Sequence, residues 1–193
     1  MAHCNFFMKR LFDIILSIFL LSLMSIPMLL IALLIKTTSK GHVLHWSERI
    51  GVNNRIFKMP KFRTMYVNAP IVATHLLEDP HRHMTPIGSF LRKFSLDELP
   101  QLWTVLRGDM SFVGPRPALH NQDDLITLRT NRNIHRLIPG ITGWAQISGR
   151  DNIPIPLKVE FDEYYMKHRS FWLDLKILCL TLLKTAKAEG VWH

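Results

Sequence analysis

The residues best suited to chemistry in this sequence are an adjacent acidic pair, Asp97 and Glu98, followed closely by Pro100. If Asp97 caps a helix, Pro100 falls in its first turn, where a missing N–H group is tolerated. The exposed N–H groups and dipole at that end favour a carboxylate and a phosphate beside it. The alternative is a capping box formed by Ser95 and Glu98. The residues alone leave the structural and the catalytic interpretation open.

Five cations suited to phosphate accompany the acidic pair. They are Lys61, Arg63, Arg92, Arg116 and Arg150. Guanidinium groups bind phosphate bidentately, and the prolines on both sides of Arg116 reduce the entropy lost in fixing it. Each cation alone is more often a surface charge. Two carboxylates can hold Mg²⁺, whose usual partners are substrate phosphates, so the set together indicates a metal-bridged polyanion site.

The composition excludes several classes of protein. The chain has 193 residues, a net charge of +9 and 48% apolar residues, with five Trp and eleven Phe, which excludes wholesale disorder. Its two cysteines, Cys4 and Cys179, lie near opposite ends and indicate neither a disulfide framework nor a zinc finger. Neither common glycine-rich phosphate loop occurs in the sequence. Nucleotide binding would therefore depend on side chains.

Residues 11–35 form an apolar segment in which 20 of 25 residues are apolar and only Asp13 is charged. A cleaved signal peptide is excluded, since the segment exceeds an apolar stretch of roughly 7–15 residues and lacks a cleavage site. As a helix it would reach roughly 37 Å, enough to cross a hydrocarbon core of about 30 Å. Basic residues flank it on both sides, which is the cytoplasmic signature.

Three structures remain open for this segment: a spanning helix, a buried core helix, and a re-entrant helix that enters and leaves on one side. Ser25 and Pro27 could supply the bend that re-entry requires, because proline removes a backbone donor and serine can bond a freed carbonyl. Asp13 fits better near lipid headgroups than in hydrocarbon. Both membrane structures place the larger domain in the cytoplasm.

The remainder of the chain predicts a small, mostly helical α+β domain. Residues 43–49 and 55–65 predict a β-hairpin around the turn 51–54, with Pro60 at an edge or bulge. Apolar periodicity from Ile87 to Leu106 predicts two helices around Asp97, ending at Gly108. Residues 108–150 are dense in glycine and proline and predict fixed loops over the helices.

A second membrane-facing element is predicted near the C-terminus. Its apolar residues recur at helical spacing, and they are Phe171, Trp172, Leu175, Leu178, Cys179, Leu182 and Leu183. An interfacial helix and a helix packed on the domain's own core fit this periodicity equally well. The predicted domains are a membrane anchor over residues 1–40 and a cytoplasmic catalytic domain over 41–193 that ends in this helix.

Five motifs in order carry a resemblance to a known family. They are KRLFD (9–13), KFRTM (61–65), SLDELPQL (95–102), GDMSFVGPRP (108–117) and PGITGWAQ (139–146). With these motifs the chain closely resembles the bacterial sugar transferases, the monotopic polyprenyl-phosphate phosphoglycosyl transferases, in their minimal catalytic form. The resemblance extends from about residue 9 to residue 187.

The resemblance implies transfer of a phospho-sugar from a UDP-sugar to polyprenyl phosphate, usually undecaprenyl phosphate, with release of UMP. This step begins a surface glycan such as exopolysaccharide, lipopolysaccharide or capsule. Asp97 would attack the β-phosphate to form a covalent aspartyl phospho-sugar, Mg²⁺ would neutralise the diphosphate, and the lipid phosphate would complete the transfer. Glu98 would support the metal or assist protonation, with Asp97 as its fellow ligand. The cations Arg92, Arg116 and Arg150 match family positions near phosphate or nucleotide.

The resemblance also implies a re-entrant helix, membrane lipid as a partner and location at the inner membrane. In the family the break falls at Ser-Pro, whereas here Ile26 separates Ser25 from Pro27. A second departure is Ile50 in Arg49-Ile50-Gly51, where many relatives have proline. A second copy of the chain is a candidate partner. The alternative from another functional class is a membrane-tethered nucleic-acid-binding protein. The sequence contains no aromatic and basic stacking motif that would support it.

Overall fold

Most of the chain is helical, and the computed structural model describes residues 2–69, 80–149 and 153–186. The helices are α1 (Ala2–Thr38), α2 (Gly88–Lys93), α3 (Leu102–Arg107), α4 (Asp123–Asn131), α5 (Trp144–Gly149), α6 (Ile155–His168) and α7 (Phe171–Ala186). The strands are β1 (Leu44–Ile50), β2 (Ile56–Phe62), β3 (Ser111–Val113) and β4 (Gly140–Thr142). The predicted fold, mostly helical with a small hairpin, is confirmed.

The hairpin follows α1, as predicted. β1 and β2 pair antiparallel from Leu44 opposite Phe62 to Ile50 opposite Ile56. Its turn uses left-handed backbone at Asn53 and Asn54, with φ of 54° and 59°, a conformation that asparagine tolerates better than most residues. Because the sheet has two strands, both are edge strands, so Pro60 sits at an edge as predicted.

The segment 108–150 is not made of loops alone, and this prediction was wrong. β3 and β4 pair in parallel, with Ser111 opposite Gly140. Helices α4 and α5 also lie within the segment. A Cβ atom at Gly140 would overlap the backbone nitrogen of Gly114. The glycine therefore permits close backbone packing beside this sheet, a use that composition does not distinguish from a loop.

Helix α1 contains the apolar segment and continues through Ser25 and Pro27. Ser25 Oγ donates a hydrogen bond to the carbonyl of Ser22 at 2.8 Å. Among the described residues, 7–38 form the one helix that is long and apolar enough to cross a membrane. The bend predicted at Ser25 and Pro27 stays a prediction.

Both halves of α1 contact the rest of the protein. The polar contacts of the first half are Arg10 with the carbonyls of Val105 and Leu106 at 2.6 and 2.7 Å, and Phe112 N with Asp13 Oδ1 at 3.2 Å. In the second half, Ile31 and Ile35 are buried with Phe62 and Leu91. On the opposite face Ile26 and Leu29 are 69% and 70% exposed. The core-helix alternative is wrong, because a core helix would bury these side chains.

Helix α7 packs on the domain through a face that combines the fully buried Ile177 with one buried carboxylate, Asp174. Asp174 is buried, accepts a hydrogen bond from Tyr165 Oη at 2.7 Å and pairs with Lys9 of α1 at 2.5 Å. The predicted apolar face points mostly away from the domain, with Trp172 79% and Leu182 71% exposed. The helix therefore packs on the core through one face and leaves most of the predicted apolar residues uncovered, as an interfacial helix would.

Candidate active site

The acidic pair lies in a 3₁₀ turn, Leu96–Gln101, that leads directly into α3. Ser95 precedes the turn in the left-handed conformation and makes no side-chain capping bond. Asp97 lies inside the turn, so the cap predicted at Asp97 was wrong. Ser95 takes the N-cap position, but the side-chain bond of the predicted capping box does not form. The left-handed residue starts a tighter helix that needs no side-chain cap, and the sequence pattern resembles that of an ordinary helix start. Leu96 and Leu99 pack against the apolar cluster that contains Ile31 and Ile35 of α1, so Asp97 and Glu98, the dyad, lie close to this cluster.

Glu98 is held by two of the predicted cations. Lys61 Nζ, from β2, donates to Glu98 Oε1 at 2.6 Å, and Arg116 Nη2, from the loop after β3, donates to the same oxygen at 2.7 Å. Burial favours the neutral acid, but the charges of Arg116 and Lys61 outweigh it and hold the pKa of Glu98 well below its ordinary value. Glu98 is therefore a fixed anion at neutral pH.

Asp97 has the opposite electrostatic environment. Its side chain is buried, and burial, together with the negative charge of Glu98, raises its pKa, although Lys61, Arg92 and Arg116 oppose the rise. Within the described part of the chain, the hydrogen bonds to the dyad side chains all end on Glu98 Oε1. Asp97 is thus the more basic carboxylate of the two, and its oxygens are available to a substrate or a metal.

Arg92 of α2 also lies near the dyad. Its Nε donates to Thr64 Oγ1 at 2.9 Å, and its charge acts on Asp97. Thr64 was not predicted as a site residue, although it belongs to the same motif as Lys61. It lies just after β2 ends at Phe62.

The hydrogen bonds of Arg63 are made with residues outside the dyad. Its guanidinium donates to Ser39 Oγ at 2.8 Å and to the carbonyl of Lys40, both in the segment that follows α1. β2 ends at Phe62, so the strand alternation that would place Arg63 beside Lys61 stops before it. These contacts give Arg63 a structural part and do not support its predicted role in phosphate binding. Arg150 lies outside the described residues.

Two further charged residues support the site, and sequence reasoning missed them. Arg129 of α4 and Asp162 of α6 form a buried ion pair at 2.6 Å, and Arg129 also donates to the carbonyl of Arg116 at 2.8 Å. A signal was present, because Asp162 stands three residues from both Val159 and Tyr165, which are buried. A charge on an apolar helix face indicates a buried partner.

A site with two neighbouring carboxylates whose pKa values move in opposite directions, surrounded by cations, suits nucleophilic attack on a phosphate. The sequence model described as "Bacterial sugar transferase" matches residues 4–188 of this chain. The chain belongs to the bacterial sugar transferase family. The predicted family is confirmed, and with it the prediction of an enzyme.

Curated relatives of this bacterial sugar transferase come from several bacteria. An uncharacterised sugar transferase of Bacillus subtilis (strain 168), EpsL, is 44% identical over 184 residues, covering 95% of this chain and 90% of that protein. The UDP-glucose:undecaprenyl-phosphate glucose-1-phosphate transferase of Escherichia coli (strain K12) is 41% identical, covering 95% of this chain and 41% of that protein. An Aeromonas hydrophila relative, named as a UDP-N-acetylgalactosamine-undecaprenyl-phosphate N-acetylgalactosaminephosphotransferase, is 38% identical, covering 91% and 43%. The transferase thus spans about two-fifths of the relatives whose reactions are named.

The donor set of the transferase is compatible with Mg²⁺. Among the described residues no group of three or more His, Cys, Asp and Glu side chains could hold a metal. Mg²⁺ commonly binds one or two carboxylates and completes its shell with water and substrate phosphates. Asp97 and Glu98 supply that number of carboxylates, so they fit a magnesium ion shared with a phosphate substrate.

Proposed function

We propose that the protein transfers a phospho-sugar from a UDP-sugar to polyprenyl phosphate, such as undecaprenyl phosphate, and releases UMP. The names of the relatives support this reaction class. The observation that carries the proposal is the division of the dyad, in which Glu98 is tied to Lys61 and Arg116 while Asp97 stays the more basic carboxylate.

In the proposed first step, an Asp97 oxygen attacks the phosphorus that carries the sugar. A bond forms between this oxygen and the phosphorus, and the bond from the phosphorus to the bridging oxygen breaks, so UMP leaves with both bonding electrons. In the second step an oxygen of the lipid phosphate attacks the same phosphorus and releases the Asp97 carboxylate. Atoms and charge balance across the two steps, and the enzyme is restored.

The surrounding side chains would bind and orient the donor. Arg116 and Lys61 carry positive charge beside the attacking group, where the diphosphate must lie. Asp97 and Glu98 would hold Mg²⁺ together with the substrate. When bound, the ion would neutralise part of the diphosphate charge.

The covalent step is tested by incubating the purified protein with UDP-sugars and without lipid acceptor. We expect one equivalent of UMP and a phospho-sugar adduct on the peptide containing Asp97, detected by mass spectrometry. Asp97→Asn should give neither, whereas Asp124→Asn, an exposed aspartate of α4, should behave as wild type. Release of UMP by Asp97→Asn at the wild-type rate would refute the proposal.

We also propose that α1 is a re-entrant anchor that holds the enzyme on the cytoplasmic face of the inner membrane. Contacts of both helix halves with one domain support this, since a helix crossing the bilayer would carry one end away from it. In a Cys179→Ser background, Cys4 and an introduced Lys40→Cys should both be labelled only after cytoplasmic access. Periplasmic labelling of Cys4 would contradict re-entry.

The proposed reaction would begin a surface glycan, with UDP-sugar, lipid phosphate and membrane lipid as partners. The exposed outer face of α7 supports contact with lipid headgroups. No observation favours the nucleic-acid-binding alternative.

A further inference from the structure

The loop that carries Arg116 is held by hydrogen bonds to four of its own consecutive carbonyl oxygens. Three of the donors come from β1 and β4, and these contacts are Gly140 N to Pro115 O at 3.0 Å, Arg49 Nη1 to Pro117 O at 3.4 Å, and Ile50 N to Ala118 O at 2.9 Å. The fourth carbonyl belongs to Arg116 itself and accepts from Arg129 Nη1 at 2.8 Å. Every backbone carbonyl from residue 115 to residue 118, which includes that of Arg116, is therefore held by a hydrogen bond.

Arg129 is in turn fixed by Asp162. Its Nε and Nη2 donate to Asp162 Oδ2 at 3.0 and 2.6 Å, and the side chains of Arg129 and Asp162 are 9% and 1% exposed. The guanidinium is a rigid fork, so two bonds to one carboxylate orient the remaining N–H groups toward the carbonyl of Arg116.

Stability alone does not account for this pair. Taking two charges out of water is costly, and apolar residues of similar volume often serve as well or better. The pair does something that apolar residues could not do, because it donates a directed hydrogen bond to the backbone of a residue that grips Glu98 at 2.7 Å.

We propose that Arg129 and Asp162 are positioning residues that hold the Arg116 side chain in place beside the Asp97–Glu98 dyad. The inference rests on the proposed function and deepens it. Lysine at position 129 keeps the charge but lacks the fork, so it cannot satisfy Asp162 and the Arg116 carbonyl together. A displacement of about 1 Å in a group near the reacting atoms can cost about 100-fold in rate.

The test is a double-mutant cycle on UMP release with Arg129→Lys and Arg116→Ala. Arg129→Lys alone should lower kcat/KM by about 10- to 100-fold. In the Arg116→Ala background the same change should cost about twofold or less, because the group it positions is gone. Asp162→Asn should behave like Arg129→Lys, and Asp162→Glu should recover part of the activity.

The KM for the UDP-sugar separates positioning from a loss of folded protein, because KM does not depend on the amount of active enzyme. Arg116 would bind the donor diphosphate, so its displacement by Arg129→Lys should raise this KM, as Arg116→Ala should. The matched control is Arg132→Gln, which breaks an exposed ion pair at 2.6 Å between the end of α4 and α6. We expect wild-type activity and an unchanged KM for it.

Equal losses from Arg129→Lys in both backgrounds, with an unchanged KM for the UDP-sugar, would refute the positioning role and leave the proposed function standing. If the wild-type protein releases no UMP from any UDP-sugar, the proposed function fails instead. The same cycle measured on the thermal midpoint then tests, without turnover, whether Arg129 supports the ion pair between the Arg116 side chain and Glu98. Additive shifts there would overturn the coupling between Arg129 and Arg116.

Discussion

Replacing Glu98 by glutamine should separate its two effects, one on stability and one on the neighbouring nucleophile. The amide keeps a carbonyl oxygen for Lys61 and Arg116 but removes the charge from two contacts of 2.6 and 2.7 Å. Hydrogen bonds to charged groups contribute about 1.5–3 kcal/mol, and because Lys61 and Arg116 stay charged, each bond to the amide loses only part of this, about 1 kcal/mol. The loss is about 2 kcal/mol for the pair, and relief of repulsion with Asp97 reduces it to about 1–2.

For a chain of this length, a loss of 1 kcal/mol lowers the thermal midpoint by about 2–4 °C, so Glu98→Gln should lower it by about 2–8 °C at pH 7. The pKa of Glu98 is depressed in the folded state, so its contribution is present above the unfolded pKa and is lost as pH falls through the folded one. The difference from wild type should therefore persist from pH 7 to pH 6 and shrink only in strong acid.

The second effect concerns Asp97. The charge of Glu98 raises the pKa of Asp97, whereas Lys61 and Arg116 lower it. Without Glu98 the two cations act on Asp97 alone, so its pKa falls. The acid limb of the pH profile of kcat/KM for UMP release should then move to lower pH in Glu98→Gln, even if the maximal rate is reduced.

Glu163→Gln is the matched control, because Glu163 also pairs with two cations, Arg132 at 2.6 Å and Lys167 at 2.5 Å, but at the protein surface. It should change the midpoint less than Glu98→Gln and leave the acid limb in place. An unmoved acid limb in Glu98→Gln, or one that moves to higher pH, would refute the assignment of opposite roles to the dyad.

Four further outcomes are expected. Asp97→Asn should abolish UMP release yet leave the thermal midpoint at pH 7 unchanged or higher, because burial opposes ionisation of this carboxyl group; a lower midpoint would contradict its environment. Chelation of Mg²⁺ should stop UMP release and readdition should restore it, and activity in a metal-free assay would exclude the metal role. A nitroxide on Cys179, in a Cys4→Ser protein reconstituted in nanodiscs, should collide more with oxygen than with a water-soluble reagent, and the reverse would place α7 in water. Arg10→Gln should lower the midpoint by several degrees, because two bonds to carbonyls at the end of α3 weaken, while Arg107→Gln at an exposed pair should change it little.

Local signals predicted the elements that depend on local geometry. Asparagines at 53 and 54 accept the left-handed backbone of the hairpin turn, and Gly108 ends α3 with φ of 96°. The glycine-rich segment after Gly108 was misjudged because its glycines serve the packing of β3 against β4. Pattern alone does not distinguish a glycine needed for close packing from one needed for a turn.

The candidate site was predicted in part. Lys61, Arg92 and Arg116 act on the acidic pair, as their types and number suggested. Arg63 differs, because the strand ends one residue earlier and its guanidinium reaches the end of α1. The buried pair of Arg129 and Asp162 was missed, since its two members are 33 residues apart and meet only when α4 packs on α6.

The sequence by itself determined the apolar helix, the motifs of the family and the presence of two carboxylates among cations, since these depend on residue identity and order. Only the tertiary structure decided how the carboxylates differ. Lys61 and Arg116 both donate to one oxygen of Glu98, whereas burial raises the pKa of Asp97. The physical reason is that charge interactions and desolvation depend on distance and burial in three dimensions, which adjacent positions in a chain do not specify.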